Sequence, residues 1–332
     1  MKVGNISQTV WRRSVNNQLD KKDDNLVNVP SYNDTVMAVK NKSGELSIVS
    51  TGKSFGKSSR TALYATMQAV NEILLRKGRV DYIVLEFTLP IFTSESQLKS
   101  MIENVKIYAK EKGILLSGVT TEVNPAVSRF MCCATAYGVA DKQVWIESSK
   151  FHKDEDIVFV GSVALEGMSR IVDEKEEELE NYFNGVFLRQ CKGRFKELDA
   201  QKAADALEDK EILAVRQIGS GGIMAALWNI TEESNIGFEA YLSQMTVYQE
   251  TIEVLEHYNL NPYDMTSLGS FLVMAKDGKD IVRTLEEKGV KATIIGTSKE
   301  GNIKVIVTKD DNRFLDRPAP DELMRWWQEE LS

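Results

Sequence analysis

The sequence predicts two domains in tandem, an N-terminal α/β half and a C-terminal α+β half, on three observations. Short β-branched apolar runs alternate with stretches whose apolar residues recur at helical spacing. The chain has 332 residues, more than a single hydrophobic core ordinarily serves. A polar segment, Ser148 to Asp156, interrupts the alternation near the middle, and dividing there gives domains of residues 1–152 and 153–332.

The elements follow in order. Residues 1–30 carry Asn, Lys and Asp clusters (Asn16-Asn17, Lys21 to Asp24) and read as a loosely structured lead-in. Thr35–Val39 and Leu46–Val49 read as short strands around the turn-like Asn41 to Gly44. Leu63, Met67, Val70, Ile73 and Leu74 recur at helical spacing, which predicts a helix over 58–76, stopped by Gly78. Tyr82–Leu89 reads as a strand. A second helix over 94–112 begins at a Thr/Ser cap and ends at Gly113. Ile114–Val123 and Arg129–Val139 complete a β-β-α-β-α-β-β half.

After the boundary, Ile157–Val160 reads as a buried strand. Helices are expected over the acidic run Asp173–Glu180, over 198–207, from Gly222 to about Glu232, over 249–257 and over 280–288. Strands are expected at Phe271–Ala275, Ala292–Gly296 and Ile303–Thr308. The acidic run reads as a solvated helix face.

Composition excludes several functions. The 41 Lys and Arg against 49 Asp and Glu give a net charge of −8, which disfavours a protein built to coat nucleic acid or anionic lipid. No run approaches the roughly 18–20 apolar residues that span a bilayer, and the first residues show no signal-peptide core. Three cysteines, two of them adjacent at Cys132 and Cys133, do not make a disulfide framework, and burial in strands or helices is their expected role. Two histidines rule out a three-His zinc site. A reducing, cytoplasmic address follows, with neither nucleic acid nor membrane as partner.

The most chemically suggestive stretch is Ser50 to Arg60, STGKSFGKSSR, which the pattern sets between a strand and a helix. Gly56-Lys57-Ser58 brings a P-loop to mind, but Gly52 and Gly56 enclose three residues where that loop needs four. Gly52-Lys-Ser54-Phe-Gly56 also fits the nucleophile-elbow pattern, yet too few strands precede it. What remains is an anion-favouring helix start bearing Lys53, Gly56, Lys57 and Arg60. The plain alternative is a tight turn with solvated lysines. Gly221-Gly222 opens a second such helix, with close backbone packing as its plain alternative.

Gly221-Gly-Ile-Met-Ala-Ala-Leu-Trp-Asn-Ile230, Asn235-Ile-Gly-Phe-Glu239, Leu255 to Pro262, Ser267 to Leu272, Ala292 to Gly296 and Arg313 to Pro318 follow one another in a recognisable order. That order resembles the AIR synthase-related superfamily, and within it most resembles the hydrogenase maturation proteins of the HypE type. The resemblance implies an N-terminal sheet domain that pairs with a second subunit and an α+β C-terminal domain. It also implies ATP in a cleft, Mg²⁺ held by aspartates, and phosphorylation of an amide, carboxylate or related oxygen.

Residue by residue, the resemblance carries over unevenly. Asn33-Asp34 falls at the family's Glu-Asp, and Asn71-Glu72 at its Asn-Asp, so Asp34 and Glu72 are the expected metal ligands. The family's Gly-Asp-Thr reads Gly118-Val119-Thr120, with the acid gone. Another family acid falls at Gly52 or Lys53, and the Asp and Arg before Gly-Gly become Gln217 and Ser220. The family's C-terminal cysteine is missing: Trp327 stands near that position, which leaves no thiol acceptor for cyanation.

Two functional readings result. In one, the chain is a divergent ATP-binding phosphotransferase relative whose nucleotide and Mg²⁺ contact Asp34, Lys53, Gly56, Lys57, Asn71, Glu72, Gly118, Thr120, Gly221 and Gly222. In the other, it is a non-catalytic homodimeric interaction or regulatory protein with a protein partner, and Trp326-Trp327 is either a docking patch or a packed terminal helix.

Overall fold

The computed structural model describes residues 5–19, 24–27, 32, 34–41, 44–146 and 151–330. Asn33 and residues 147–150, on which parts of the sequence reading fall, lie outside them. The chain divides into two compact units: Asp20–Trp145 with Asp173–Glu176, and Met1–Leu19 with Ile146–Val172 and Glu177–Ser332.

The first of these units contains strands β1 (Val36–Lys40), β2 (Leu46–Gly56), β3 (Arg79–Leu89), β4 (Leu115–Val123) and β5 (Phe130–Ala140), in the sheet order β1-β2-β5-β3-β4. The pair β3–β4 is parallel and the other pairs are antiparallel. Numbering helices along the whole chain, α1 is Gln8–Ser14 in the other unit, and α2 (Thr61–Leu75) and α3 (Glu95–Glu111) follow β2 and β3. The period-two burial of β2, β3 and β5 sends Ile48, Ile83, Leu85, Phe87, Cys132 and Ala134 inward. Gly52 permits α2 to lie close on β2, since a Cβ there would stand 2.0 Å from the Ala65 carbonyl oxygen. Ser94 and Gln97 form a reciprocal capping box at the start of α3, a device that contributes about 1 kcal/mol. Gly113, at φ +68°, follows its end.

The second unit is built on a seven-stranded sheet. Its strands are β6 (Asp156–Val160), β7 (Ala214–Gln217), β8 (Gly237–Tyr241), β9 (Phe271–Ala275), β10 (Ala292–Lys299), β11 (Lys304–Val307) and β12 (Asn312–Phe314). They run in the order β12-β11-β8-β10-β6-β9-β7, antiparallel except β11–β8. Its helices are α4 (Leu165–Leu179), α5 (Gly185–Gly193), α6 (Gln201–Ala206), α7 (Gly222–Glu233), α8 (Gln249–His257), α9 (Gly278–Glu287) and α10 (Glu322–Glu329). Helix α4 is interrupted by non-helical dihedrals at Lys175, and its residues 173–176 group with the first unit.

Several expectations are corrected. The lead-in contains α1, capped by the Ser7 side chain. Strand β2 runs on through Gly56, so the glycine–lysine stretch is strand for most of its length. Periodicity missed β7, β8 and β12, each five residues or fewer, and α5. The acidic run is not simply a solvated face, because Asp173 and Glu174 have side chains only 9% and 5% exposed. Trp326 and Trp327 are buried in α10, which removes the docking-patch alternative for them.

Candidate functional site

The two expected metal carboxylates do come together. Asp34 precedes β1, and Glu72 lies in the last turn of α2, next to the fully buried Asn71. Between them stands Arg76, four residues after Glu72. Its guanidinium pairs with the Glu72 carboxylate and lies 3.7 Å from Asp34 Oδ1. The donor set does not fit Mg²⁺, which needs about six oxygen ligands, because a fixed cation already pairs with both acids. Among the described residues no group of three or more His, Cys, Asp and Glu is placed to hold a metal ion.

The start of α2, expected to cradle phosphate, is filled by carboxylates from residues 173–176. Asp173 accepts from Arg60 Nη1 at 3.0 Å, Tyr64 Oη at 2.9 Å and Ser58 Oγ at 3.3 Å. Glu174 takes the Lys57 backbone N–H at 3.1 Å and the Arg129 guanidinium at 2.7 Å. Gly56, at φ +155°, would place a Cβ 2.5 Å from Glu174 Oε1, so its glycine makes room for that carboxylate. The physics that suggested an anion here was sound, since unsatisfied N–H groups and nearby arginines favour one. The anion is the chain's own.

Lys53 lies elsewhere. It occupies the open face of the first sheet, in register with Cys133, which is in turn in register with Glu86. The Lys53 backbone N–H donates to Gln68 Oε1 at 2.9 Å. Ser54 is buried on the opposite face, which withdraws it as an exposed nucleophile. Gly118 and Thr120 lie on the edge strand β4, in register with Val84 and Glu86, and are not grouped with Lys57. The same open face carries Met37 and Tyr82, both more than 40% exposed, and Tyr82 stacks on Tyr137 with centroids 5.1 Å apart. Burial raises the Cys133 thiol pKa, and the nearby Lys53 charge partly opposes the rise.

In the second unit, Gly221 and Gly222 begin α7 with φ of +85° and +66°. The helix start again meets an internal acid. Asp321, the cap residue of α10, accepts the Gly221 N–H at 2.7 Å and the Leu323 N–H at 2.9 Å. It is 2% exposed, and burial pushes its carboxyl up to about 7, helped by the charge of Glu166 and opposed by both backbone N–H groups and Arg170. Glu166 itself receives Arg170 Nε at 2.8 Å and the Leu268 N–H at 3.2 Å. Arg170 lies 5.9 Å from the Trp327 ring.

Residues 154–309 match the AIR synthase related protein, C-terminal domain. The C-terminal part of the chain therefore carries an AIR synthase-related domain. A hydrogenase expression/formation protein of Methanocaldococcus jannaschii is 21% identical over 267 residues, which cover 79% of this chain and 77% of that one. The crystal structure of the hydrogenase maturation protein HypE in complex with ATP superposes with a TM-score of 0.69 at 15% identity, covering 83% of this chain and 87% of that chain. The HypE–HypF complex gives a TM-score of 0.66 at 17% identity over 85% and 93%. At such identities the structural likeness establishes the two-domain fold, HypE-like in architecture, and leaves the chemistry to the residues.

Sequence reading missed Arg76, Asp173, Glu174 and Asp321 as site residues. Arg76 had a signal, since Glu72 and Arg76 are spaced for an i,i+4 ion pair. Asp321 also had one, as an Asp directly before an amphipathic segment. Asp173 and Glu174 had none, because their partners lie more than 40 residues away in sequence.

Proposed function

We propose that this chain uses its AIR synthase-related fold as a homodimeric interaction protein of HypE-like architecture, without magnesium-dependent phosphoryl transfer. The observation that carries the reading is the start of α2. Asp173 and Glu174 already satisfy Lys57 N–H, Arg60 and Arg129, the groups that a nucleotide phosphate would need. A phosphate arriving there would have to displace two carboxylates from buried or half-buried arginines, and ion pairs of that kind are costly to break. Loss of the acids at 118–120 and before Gly221 supports the same conclusion. Fold similarity does not restore a reaction whose site residues have changed.

Homodimerisation is supported by the open sheet face, where Met37, Tyr82 and Tyr137 present apolar and aromatic surface of the kind interfaces cover. A further protein partner is supported by the complex that HypE makes with HypF. A cytoplasmic address agrees with three cysteines that form no disulfide. No described helix is long and apolar enough to cross a membrane.

Phosphate release from Mg²⁺–ATP, measured beside sedimentation equilibrium, tests both halves. The expected results are no turnover above blank and a dimer mass that Tyr82→Arg reduces to a monomer. Turnover that Asp34→Asn abolishes would overturn the non-catalytic reading, and a wild-type monomer would overturn the dimer. A second reading, nucleotide binding without metal, draws on the HypE–ATP structure. Saturable ATP binding with unchanged affinity in EDTA would select it.

A further inference from the structure

Arg76 closes α2, its backbone N–H donating to the Ile73 and Leu74 carbonyls. Its side chain turns into the gap between Asp34 and Glu72. Nη1 pairs with the Glu72 carboxylate and donates to the Glu72 carbonyl at 3.1 Å, and Nη2 faces Asp34 Oδ1. The Arg76, Asp34 and Glu72 side chains are 4%, 3% and 13% exposed. Asp34 Oδ1 also takes the Val36 N–H at 3.1 Å, whereas Asp34 Oδ2 is buried with no hydrogen-bond partner among the described residues.

Two carboxylates held this close in a nearly dry setting repel unless a cation stands beside both. Two solutions exist: a diffusible divalent ion coordinated by their oxygens, or a cation built into the chain. Here the guanidinium fills that role. A guanidinium donates hydrogen bonds but has no open coordination position, so it neutralises acids without presenting a Lewis-acidic centre to a phosphate.

We propose that Arg76 is a tethered replacement for a divalent cation at the Asp34–Glu72 pair. With Arg76 in place the pair takes no Mg²⁺, and removing its charge converts the same pair into a divalent-cation site. The buried Asp34 Oδ2, without a hydrogen-bond partner among the described residues, supplies a carboxylate oxygen for such an ion. The functional meaning of this replacement rests on the non-catalytic reading above. Its chemistry stands separately.

The test is a Mn²⁺ titration of the full chain, following free Mn²⁺ by electron paramagnetic resonance. Arg76→Met removes the charge and retains an unbranched side chain. Wild type should take up no Mn²⁺ that depends on Asp34, up to millimolar concentrations. Arg76→Met should gain one Mn²⁺ per chain, and adding Asp34→Asn should weaken that uptake at least tenfold. Where Arg76→Met is unfolded in EDTA, Mn²⁺ should restore its near-ultraviolet circular dichroism. Wild-type uptake lost in Asp34→Asn overturns the proposal. So does an Arg76→Met chain that gains no site, or that stays unfolded at every Mn²⁺ concentration. Phosphate release by wild type would sink the non-catalytic reading without touching this titration, and wild-type Mn²⁺ uptake would do the reverse.

Discussion

The starts of α2 and α7 share a sequence signature, small residues and glycine before an apolar helix, and each receives a carboxylate from far along its own chain. They hold that carboxylate in different ways. Asp173 and Glu174 are held in ion pairs with the guanidinium groups of Arg60 and Arg129. Asp321 accepts backbone N–H groups from Gly221 at the start of α7 and from Leu323 in its own helix, and burial pushes its carboxyl up to about 7. At Asp321, accepting two backbone N–H groups therefore does not offset the effect of burial.

Substitutions can break this comparison, beginning with the largest effect. Gly222→Ala would put a Cβ 2.3 Å from the Tyr263 carbonyl oxygen at positive φ, whereas a Cβ at Gly221 meets the Ala225 methyl at 2.8 Å and the Ala319 carbonyl oxygen at an ordinary 3.5 Å. Strain at positive φ alone costs about 1–3 kcal/mol, and the backbone clash adds to it. Denaturant unfolding should show Gly222→Ala losing more than Gly221→Ala; equal losses would mean that the α7 backbone shifts freely. Glu174→Ala removes the carboxylate that pairs with the 11%-exposed Arg129, and losing one partner of such an ion pair costs about 3 kcal/mol. Asp173→Ala faces the one-third-exposed Arg60 and should cost about 1–2 kcal/mol through lost hydrogen bonds.

Asp321 sharpens the comparison through pH. Its folded pKa lies above the unfolded value, so its protonated form favours folding. That contribution is complete below the unfolded pKa near 4 and is lost as pH rises to about 7. Asp321→Asn should flatten this part of the stability profile between pH 4 and 7. A slope identical to wild type would assign the dependence to another group. The smallest effect belongs to Lys53→Ala and Lys57→Ala, whose exposed side chains should change stability by less than about 0.5 kcal/mol.

Much of the fold was legible because period counts local facts: α8 and β9 fall where spacing places them, and the Ser94 and Gly113 signals bracket α3. Strand β2 was cut short because glycine and lysine read as loop, although Gly52 is there to admit α2 and Lys53 to face outward. The candidate site was legible only in part. Asp34 and Glu72 were paired through a resemblance, and the residue between them was not. The carboxylates at both helix starts are long-range partners, and no local pattern records which distant acid will satisfy a helix N–H.

The most direct measurement of the central claim, that the chain's own side chains fill its phosphate and metal positions, is the thermal unfolding midpoint with ATP, with and without Mg²⁺. A ligand at 100 times its Kd adds about 2.7 kcal/mol, a readily visible shift. The account predicts no shift with millimolar Mg²⁺–ATP. A magnesium-dependent rise that disappears in Asp34→Asn would contradict it.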